Sequence, residues 1–117
     1  MTASSRWPRR GEIWWAYTPG QPDDPHQPRP ALVVSVDVRN RLRDDLIVVP
    51  IFSTSPRSVV RVPVPRGVGG LPNDSVLFCD EVSTIDRDFL AGGPMGPLVP
   101  DDIMAQVIAG VLNAIAP

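Results

Sequence analysis

Up to residue 98 the apolar positions of this chain come in short, β-branched runs, each closed by proline, glycine or a polar cluster; from residue 100 they fall at helical spacing. Residues 11–18 alternate, with Ile13, Trp15 and Tyr17 on one face and Trp14 and Ala16 on the other. That pattern predicts a strand with both faces covered, one by the core and one by a second layer or subunit. Residues 31–38, 46–52, 59–64 and 75–82 predict four further strands. Pro50 inside the second of these demands an edge, a bulge or a bend. Residues 19–28 carry four prolines and no large apolar side chain, so they predict a long polar loop. Residues 39–45 read as a polar connection, 67–74 as a turn region, and 83–88 as a short turn or a single helical turn. The glycine-rich 89–98 has room for one weak strand.

The last segment differs in kind. Ile103, Met104, Val107, Ile108, Val111, Leu112 and Ile115 form an amphipathic stripe over residues 100–116. Pro100 suits the first turn, and Asp101 and Asp102 complement the positive end of a helix. The expected architecture is mainly β, five to six strands with one C-terminal α-helix. Residues 1–8 show no periodicity and read as a flexible N-terminus; 9–117 read as one domain.

Composition narrows the class. A chain of 117 residues supports one hydrophobic core but not two. No apolar run approaches the ~18–20 residues of a membrane span, and the first ten residues lack the apolar segment of a secretory signal. Cys79 is the only cysteine, which excludes a disulfide framework. A cytoplasmic protein with no membrane contact is expected. The 15 prolines favour short elements and tight corners over a helical bundle. The net charge of −2 argues against general nucleic-acid binding, but the charge is unevenly placed. Residues 27–68 carry seven arginines against three aspartates, and residues 69–117 carry one arginine against seven acids. A basic middle of this kind serves either as a patch for a polyanion or as the partner of the acidic C-terminal part.

The candidate chemistry follows by subtraction. A single histidine, a single cysteine and no paired ligand spacing leave only carboxylates for a metal, and Asp80 and Glu81, adjacent on a strand, would face opposite ways. There is no lysine, hence no phosphate-binding loop of the Gly-x-x-x-x-Gly-Lys type. His26 lies in the proline-rich loop with no evident orienting partner for a nucleophilic triad. What remains is Arg29, fixed between Pro28 and Pro30 at the mouth of an apolar strand, with hydroxyls at Ser53, Thr54 and Ser55 and carboxylates at Asp80 and Glu81. The alternative for Arg29 is an ordinary surface arginine closing a loop. Such a set can bind a phosphodiester and stabilise charge on it. RNA brings its own nucleophile, the 2′-OH, so its cleavage requires neither a metal nor a covalent residue.

Several motifs, in order, resemble one family. They are Arg9-Arg10-Gly11-Glu12-Ile13-Trp14-Trp15, then Arg29-Pro30-Ala31-Leu32-Val33, then Val49-Pro50-Ile51-Phe52-Ser53-Thr54, then the segment from Asp74 to Arg87, then Gly96-Pro97-Leu98 and the terminal helix. The chain is similar in this respect to the MazF/PemK toxin endoribonucleases over about residues 9–115. The resemblance implies an SH3-like small barrel, a homodimer, and cofactor-free, sequence-specific cleavage of single-stranded RNA to 2′,3′-cyclic phosphate and 5′-OH ends. It also implies neutralisation by a cognate antitoxin. The family's catalytic arginine falls on Arg29. Its catalytic threonine falls on Phe52, which can pack or stack on a base but cannot donate to a phosphate, so Ser53 or Thr54 is expected to substitute. Asp24 stands for the acidic residue of the family's loop, and His26 is a candidate acid or base three residues from Arg29. Trp14 or Trp15 is a candidate for stacking an RNA base or for the dimer interface, with core packing as the alternative for either. Guanidinium groups stay protonated far above neutral pH, which suits charge stabilisation better than general-base work. The lost threonine keeps two rivals open. One is a gyrase-poisoning protein-binding toxin like CcdB, which shares the barrel; the other is a toxin that binds its antitoxin without catalysis.

Overall fold

The computed structural model describes residues 7–17, 28–53 and 55–116. It holds seven strands, β1 (Ile13–Ala16), β2 (Arg29–Val33), β3 (Asp45–Phe52), β4 (Arg61–Val64), β5 (Ser75–Phe78), β6 (Ser83–Asp86) and β7 (Leu90–Pro94). Two α-helices complete it, α1 (Asp37–Leu42) and α2 (Asp101–Ile115). The strands are hydrogen-bonded in the order β4-β5-β3-β2-β1-β7, with β6 on β3, and every pairing is antiparallel. This is the mainly β, SH3-like small barrel with a C-terminal helix expected from the motifs.

The sequence pattern needs correction at several places. The run from residue 31 to 38 does not continue as a strand; β2 stops at Val33, and α1 takes up most of the expected polar connection. The cause is a buried polar knot. Asn40 is fully buried, donates Nδ2 to the Ser35 carbonyl at 2.9 Å, and its own carbonyl receives Arg87 Nη2 at 2.7 Å. The Ser35 hydroxyl bonds to Asn40 Oδ1 and receives the Ile47 amide at 3.0 Å. These bonds turn the chain out of the sheet, and Asp37 then accepts the Arg10 amide at 2.7 Å. Residues 83–88 hold a strand, β6, before a single helical turn. Its four residues pair with the first half of β3, which a reading of local sequence cannot show. The strand expected over 59–64 begins at Arg61, and the one over 75–82 ends at Phe78, where a 3₁₀ turn takes over.

β3 is the axis of the fold. Its residues Asp45 to Val48 pair with β6, Val48 to Pro50 pair with β2, and Ile51 and Phe52 pair with β5. Pro50 thus sits in the gap between β6 and β5, where a missing N–H interrupts no pairing on that side. Both faces of β3 are buried. Val49 and Ile51 join the cluster under α2, with Ile13, Leu32, Val62, Leu77, Met104 and Val107. Leu46 and Val48 join a second cluster with Ala16, Ala31, Val33 and Ile85, against which Trp14 and Leu90 pack. Both clusters reach the first strand, through Ile13 on one face and Ala16 and Trp14 on the other, while Trp15 and Tyr17 on the Ile13 side stay exposed.

α2 lies over the turn after β5 and over β4. Its stripe is narrower than the sequence pattern: Met104, Val107 and Gly110 are buried, while Leu112 and Ile115 are exposed. Gly110 marks the closest approach, since a Cβ there would lie 2.8 Å from Cys79 Sγ. Of the expected flexible N-terminus, residues 1–6 lie outside the described residues. Pro8 is buried, and the Arg41 guanidinium lies over the Trp7 ring at 5.6 Å.

Two stability tests follow. Asn40→Leu strands the Ser35 carbonyl and removes the closest acceptor of the Ser35 hydroxyl, and should cost about 2–4 kcal/mol. Urea unfolding should show a lower midpoint at unchanged slope; a loss below about 1 kcal/mol would remove the knot from the fold's determinants. Gly110→Ala should lower Tm despite the ~1 kcal/mol gain in helix propensity, because the added methyl pushes α2 off Cys79.

Candidate functional site

The site is a product of strand register. Along β3, the residues on the Leu46–Val48 face continue as Pro50 and Phe52. Along β2, Ala31 and Val33 share their face with Arg29. Ala31 pairs with Pro50, and continuing that register to the start of β2 sets Arg29 across from Phe52. On the other side Phe52 pairs with Val76, whose same-face neighbour along β5 is Phe78, and Phe78 pairs with Arg61 on β4. Four strands therefore place two arginines and two phenylalanines on one open face.

Their side chains form a continuous row. Arg29 Cζ lies 5.5 Å from the centroid of the Phe52 ring. The Phe52 and Phe78 centroids are 4.4 Å apart, tilted by 49°. Arg61 Cζ sits 3.6 Å from the Phe78 centroid. Each exposed cation–ring contact contributes about 0.5–1 kcal/mol and the ring pair about 0.5–1.5 kcal/mol, so the row needs an anchor. Arg61 supplies it. Its Nε donates to Asp80 Oδ1 at 2.9 Å, its Nη2 to Asp80 Oδ2 at 3.0 Å, and its Nη1 to the Ser55 hydroxyl at 3.2 Å. Glu81 Oε2 stands 3.8 Å from Nη2. The hydrogen bond from Arg61 holds the Asp80 carboxyl below its ordinary pKa, against a smaller opposing effect of burial. The same bond, more than the neighbouring charge, raises the Arg61 pKa. The pair's contribution to stability is thus present above the unfolded carboxyl pKa of about 3.9 and is lost as pH falls through the lowered folded value.

The two ends of the row differ. Arg61 has every guanidinium nitrogen engaged. Arg29 Nε is buried and has no hydrogen-bond partner among the described residues. The prolines flanking Arg29 explain its fixed backbone, and Pro30 pairs with Trp15 at the β1 edge. The basic middle of the chain thus meets the acidic C-terminal part at Arg61, Asp80 and Glu81, while Arg39 and Arg43 pair with Asp45 of the same basic middle.

Of the candidates read from the sequence, Arg29 and Phe52 are in contact, and Asp80 and Glu81 join them through Phe78 and Arg61. The expectation that Asp80 and Glu81 would face opposite ways is wrong: they sit on the 3₁₀ turn Cys79–Glu81, which aims both at Arg61. Ser53 is exposed directly after β3. Trp14 shares the face of Arg29 but is packed on the second cluster, and its Nε1 donates to Glu12 Oε1 at 3.1 Å. Trp15 lies on the opposite face, beside a groove of about 340 Å³ lined by Gly70, Pro72, Met95 and glycines 92 and 93. Asp24, His26 and Thr54 lie outside the described residues. Arg61, Phe78 and the structural use of Ser55 were missed. Alternation along Arg61-Val62-Pro63-Val64 puts Arg61 off the core face, but only the pairing of β4 with β5 and of β5 with β3 brings it to Phe78 and Phe52.

Comparison with known proteins gives the fold and the family. The solved endoribonuclease from Mycobacterial species in complex with its cognate antitoxin has a TM-score of 0.76 at 23% identity, covering 94% of this chain and 97% of that one. MazF from Deinococcus radiodurans has a TM-score of 0.78 at 20% identity, covering 97% and 100%. Mycobacterium tuberculosis toxin MazF-mt6 has a TM-score of 0.72 at 27% identity, covering 88% and 94%. The first two establish the fold. The model of the family described as PemK-like, MazF-like toxin of type II toxin-antitoxin system matches residues 9–115. With nearly the whole chain matched and the fold in agreement, this protein belongs to the PemK-like, MazF-like toxin family of type II toxin–antitoxin systems.

Proposed function

We propose that this toxin is an endoribonuclease that cleaves single-stranded RNA at specific sequences, without a metal, and so arrests translation and growth. The observation that carries the reading is Arg29. It is a cation on a proline-stiffened strand start, set over an aromatic ring on an open face, with a buried Nε that no described residue engages. A phosphodiester oxygen is the kind of acceptor such a group takes.

In the mechanism, the substrate's 2′-OH attacks the adjacent phosphorus as its proton is removed. Negative charge builds on the non-bridging oxygens, and the Arg29 guanidinium stabilises it more in the transition state than in the ground state. The 5′-oxygen leaves with a proton, giving 2′,3′-cyclic phosphate and 5′-OH ends. Phe52 supports Arg29 and offers a ring edge to a base. It donates no hydrogen bond, so the hydroxyl role falls to Ser53 or Thr54. Asp24 and His26 stand as the loop's candidate contacts with RNA and Trp14 as that of the open face, whereas Asp80 and Glu81, expected beside them, pair with Arg61 instead. A cognate antitoxin is the expected protein partner, as in the mycobacterial complex, and a homodimer the expected assembly. No helix of the described residues is long and apolar enough to cross a membrane; the cytoplasm, where RNA substrate is found, is the proposed site of action.

The pure protein should cleave single-stranded RNA in EDTA, and end analysis should find 2′,3′-cyclic phosphate. A 2′-deoxy substitution at the cut position should block the reaction; cleavage of that substrate would overturn the 2′-OH mechanism. Arg29→Ala should lower kcat/KM by about 10²-fold or more with Tm and antitoxin binding unchanged. Full activity in that variant would take Arg29 out of the site. Ser53→Ala and Thr54→Ala, assayed side by side, identify the hydroxyl by whichever variant loses kcat.

A further inference from the structure

We infer that Arg61 is a positioning residue for Arg29, acting through the Phe78 and Phe52 rings rather than by touching RNA. The inference rests on the nuclease reading and adds residues that the family resemblance does not assign.

Three observations carry it. First, all three Arg61 guanidinium nitrogens already donate, Nε and Nη2 to Asp80 and Nη1 to Ser55, which leaves two of the five N–H groups. A phosphate approaching those two would meet the Asp80 carboxylate, held in two-point geometry, and the Glu81 charge 3.8 Å from Nη2. Arg61, Asp80 and Glu81 together carry a net negative charge, which repels an RNA backbone. Second, the guanidinium lies directly on the Phe78 face at 3.6 Å. A planar group fixed at three nitrogens is a rigid shelf, and it limits where the Phe78 ring can go. Phe78 in turn abuts Phe52 at 4.4 Å. Third, Arg29 Nε has no hydrogen bond among the described residues and the guanidinium stands 5.5 Å from the Phe52 centroid, so among those residues the Phe52 ring is the contact that orients it. A ring that slides moves the cation with it, and a shift on the order of 1 Å at a charge-stabilising group is felt in the rate.

The arrangement also accounts for Phe52 standing where the family motif has a threonine. A hydroxyl there would serve the phosphate directly. A ring there serves it indirectly, by transmitting the anchored position of Arg61 to Arg29. Ser55 and Asp80 become parts of the anchor rather than contacts of the substrate.

The test uses Arg61→Lys, which keeps the charge but loses the plane and the two-point contact, together with Phe78→Leu and the double variant. For Arg61→Lys we expect kcat to fall about tenfold, KM to stay within about twofold, and the salt dependence of RNA binding to keep its slope. Phe78→Leu should behave alike, and the double variant should be no worse than either single one, as two links of one chain require. In parallel, the Arg29 Nε–Hε resonance, assigned by its loss in Arg29→Lys, should shift in both single variants. A raised KM at unchanged kcat with a salt slope reduced by about one would make Arg61 a direct phosphate contact and overturn the inference. So would additive effects, or an unmoved Arg29 resonance. If the wild type cleaves no RNA, the nuclease reading fails, while the resonance still reports whether Arg61 sets the attitude of Arg29.

Discussion

The change of partner along β3 is the constraint on which the rest of this molecule depends. A single eight-residue strand is hydrogen-bonded to β6 over its first half, to β2 in the middle and to β5 at its end. Because its two faces are both buried over most of its length, its register cannot slip without turning one hydrophobic cluster inside out. Pro50 marks where the partners change. Past that point the outer face is no longer filled by aliphatic side chains, and Phe52 emerges beside Arg29. The open face is thus the unfilled end of a core layer, held rigid by the filled end.

Charge follows the same geometry. The molecule is acidic overall, yet the face carrying Arg29 is built from the basic middle of the chain. Acidic residues from the C-terminal part do not cancel that face evenly. They engage Arg61 at one end through Asp80 and Glu81 and leave Arg29 at the other. Hydrogen bonding between Arg61 and Asp80 lowers one pKa and raises the other, so the anchor is ionised throughout the neutral range. Cys79, beside this anchor, has its thiol pushed up to about 11, first of all by burial. It packs under Gly110 as a small apolar group of the core.

Much of this was legible in the sequence, for identifiable reasons. The amphipathic stripe from Ile103 onward located α2 almost to the residue, and the β-branched run before Phe52 located β3. The prolines around Arg29 marked it as a fixed cation before any neighbour was known. What stayed hidden depends on pairing between distant segments. β6 has no strong pattern of its own and exists because β3 offers it an edge. α1 replaces a strand end because Asn40 finds Ser35, a contact between buried polar groups that hydrophobic periodicity does not register. Arg61 and Phe78 look like an ordinary surface arginine and an ordinary core aromatic until two registers are combined. Motif order identified the family and pointed to the arginine, whereas its neighbours in the fold are set by strand register and by this chain's own departure at Phe52.

The central claim is that the Arg29 guanidinium faces the charge that develops on the scissile phosphate. Its most direct measurement is the rate of cleavage of two oligonucleotides that differ only in which non-bridging oxygen of that phosphate is replaced by sulfur. The account predicts that one of the two is cut about tenfold or more slowly by the wild type, and that the difference collapses in Arg29→Lys, whose residual rate is low but measurable. An equal difference in both proteins would contradict it, because the oxygen in question would then be held by some other group.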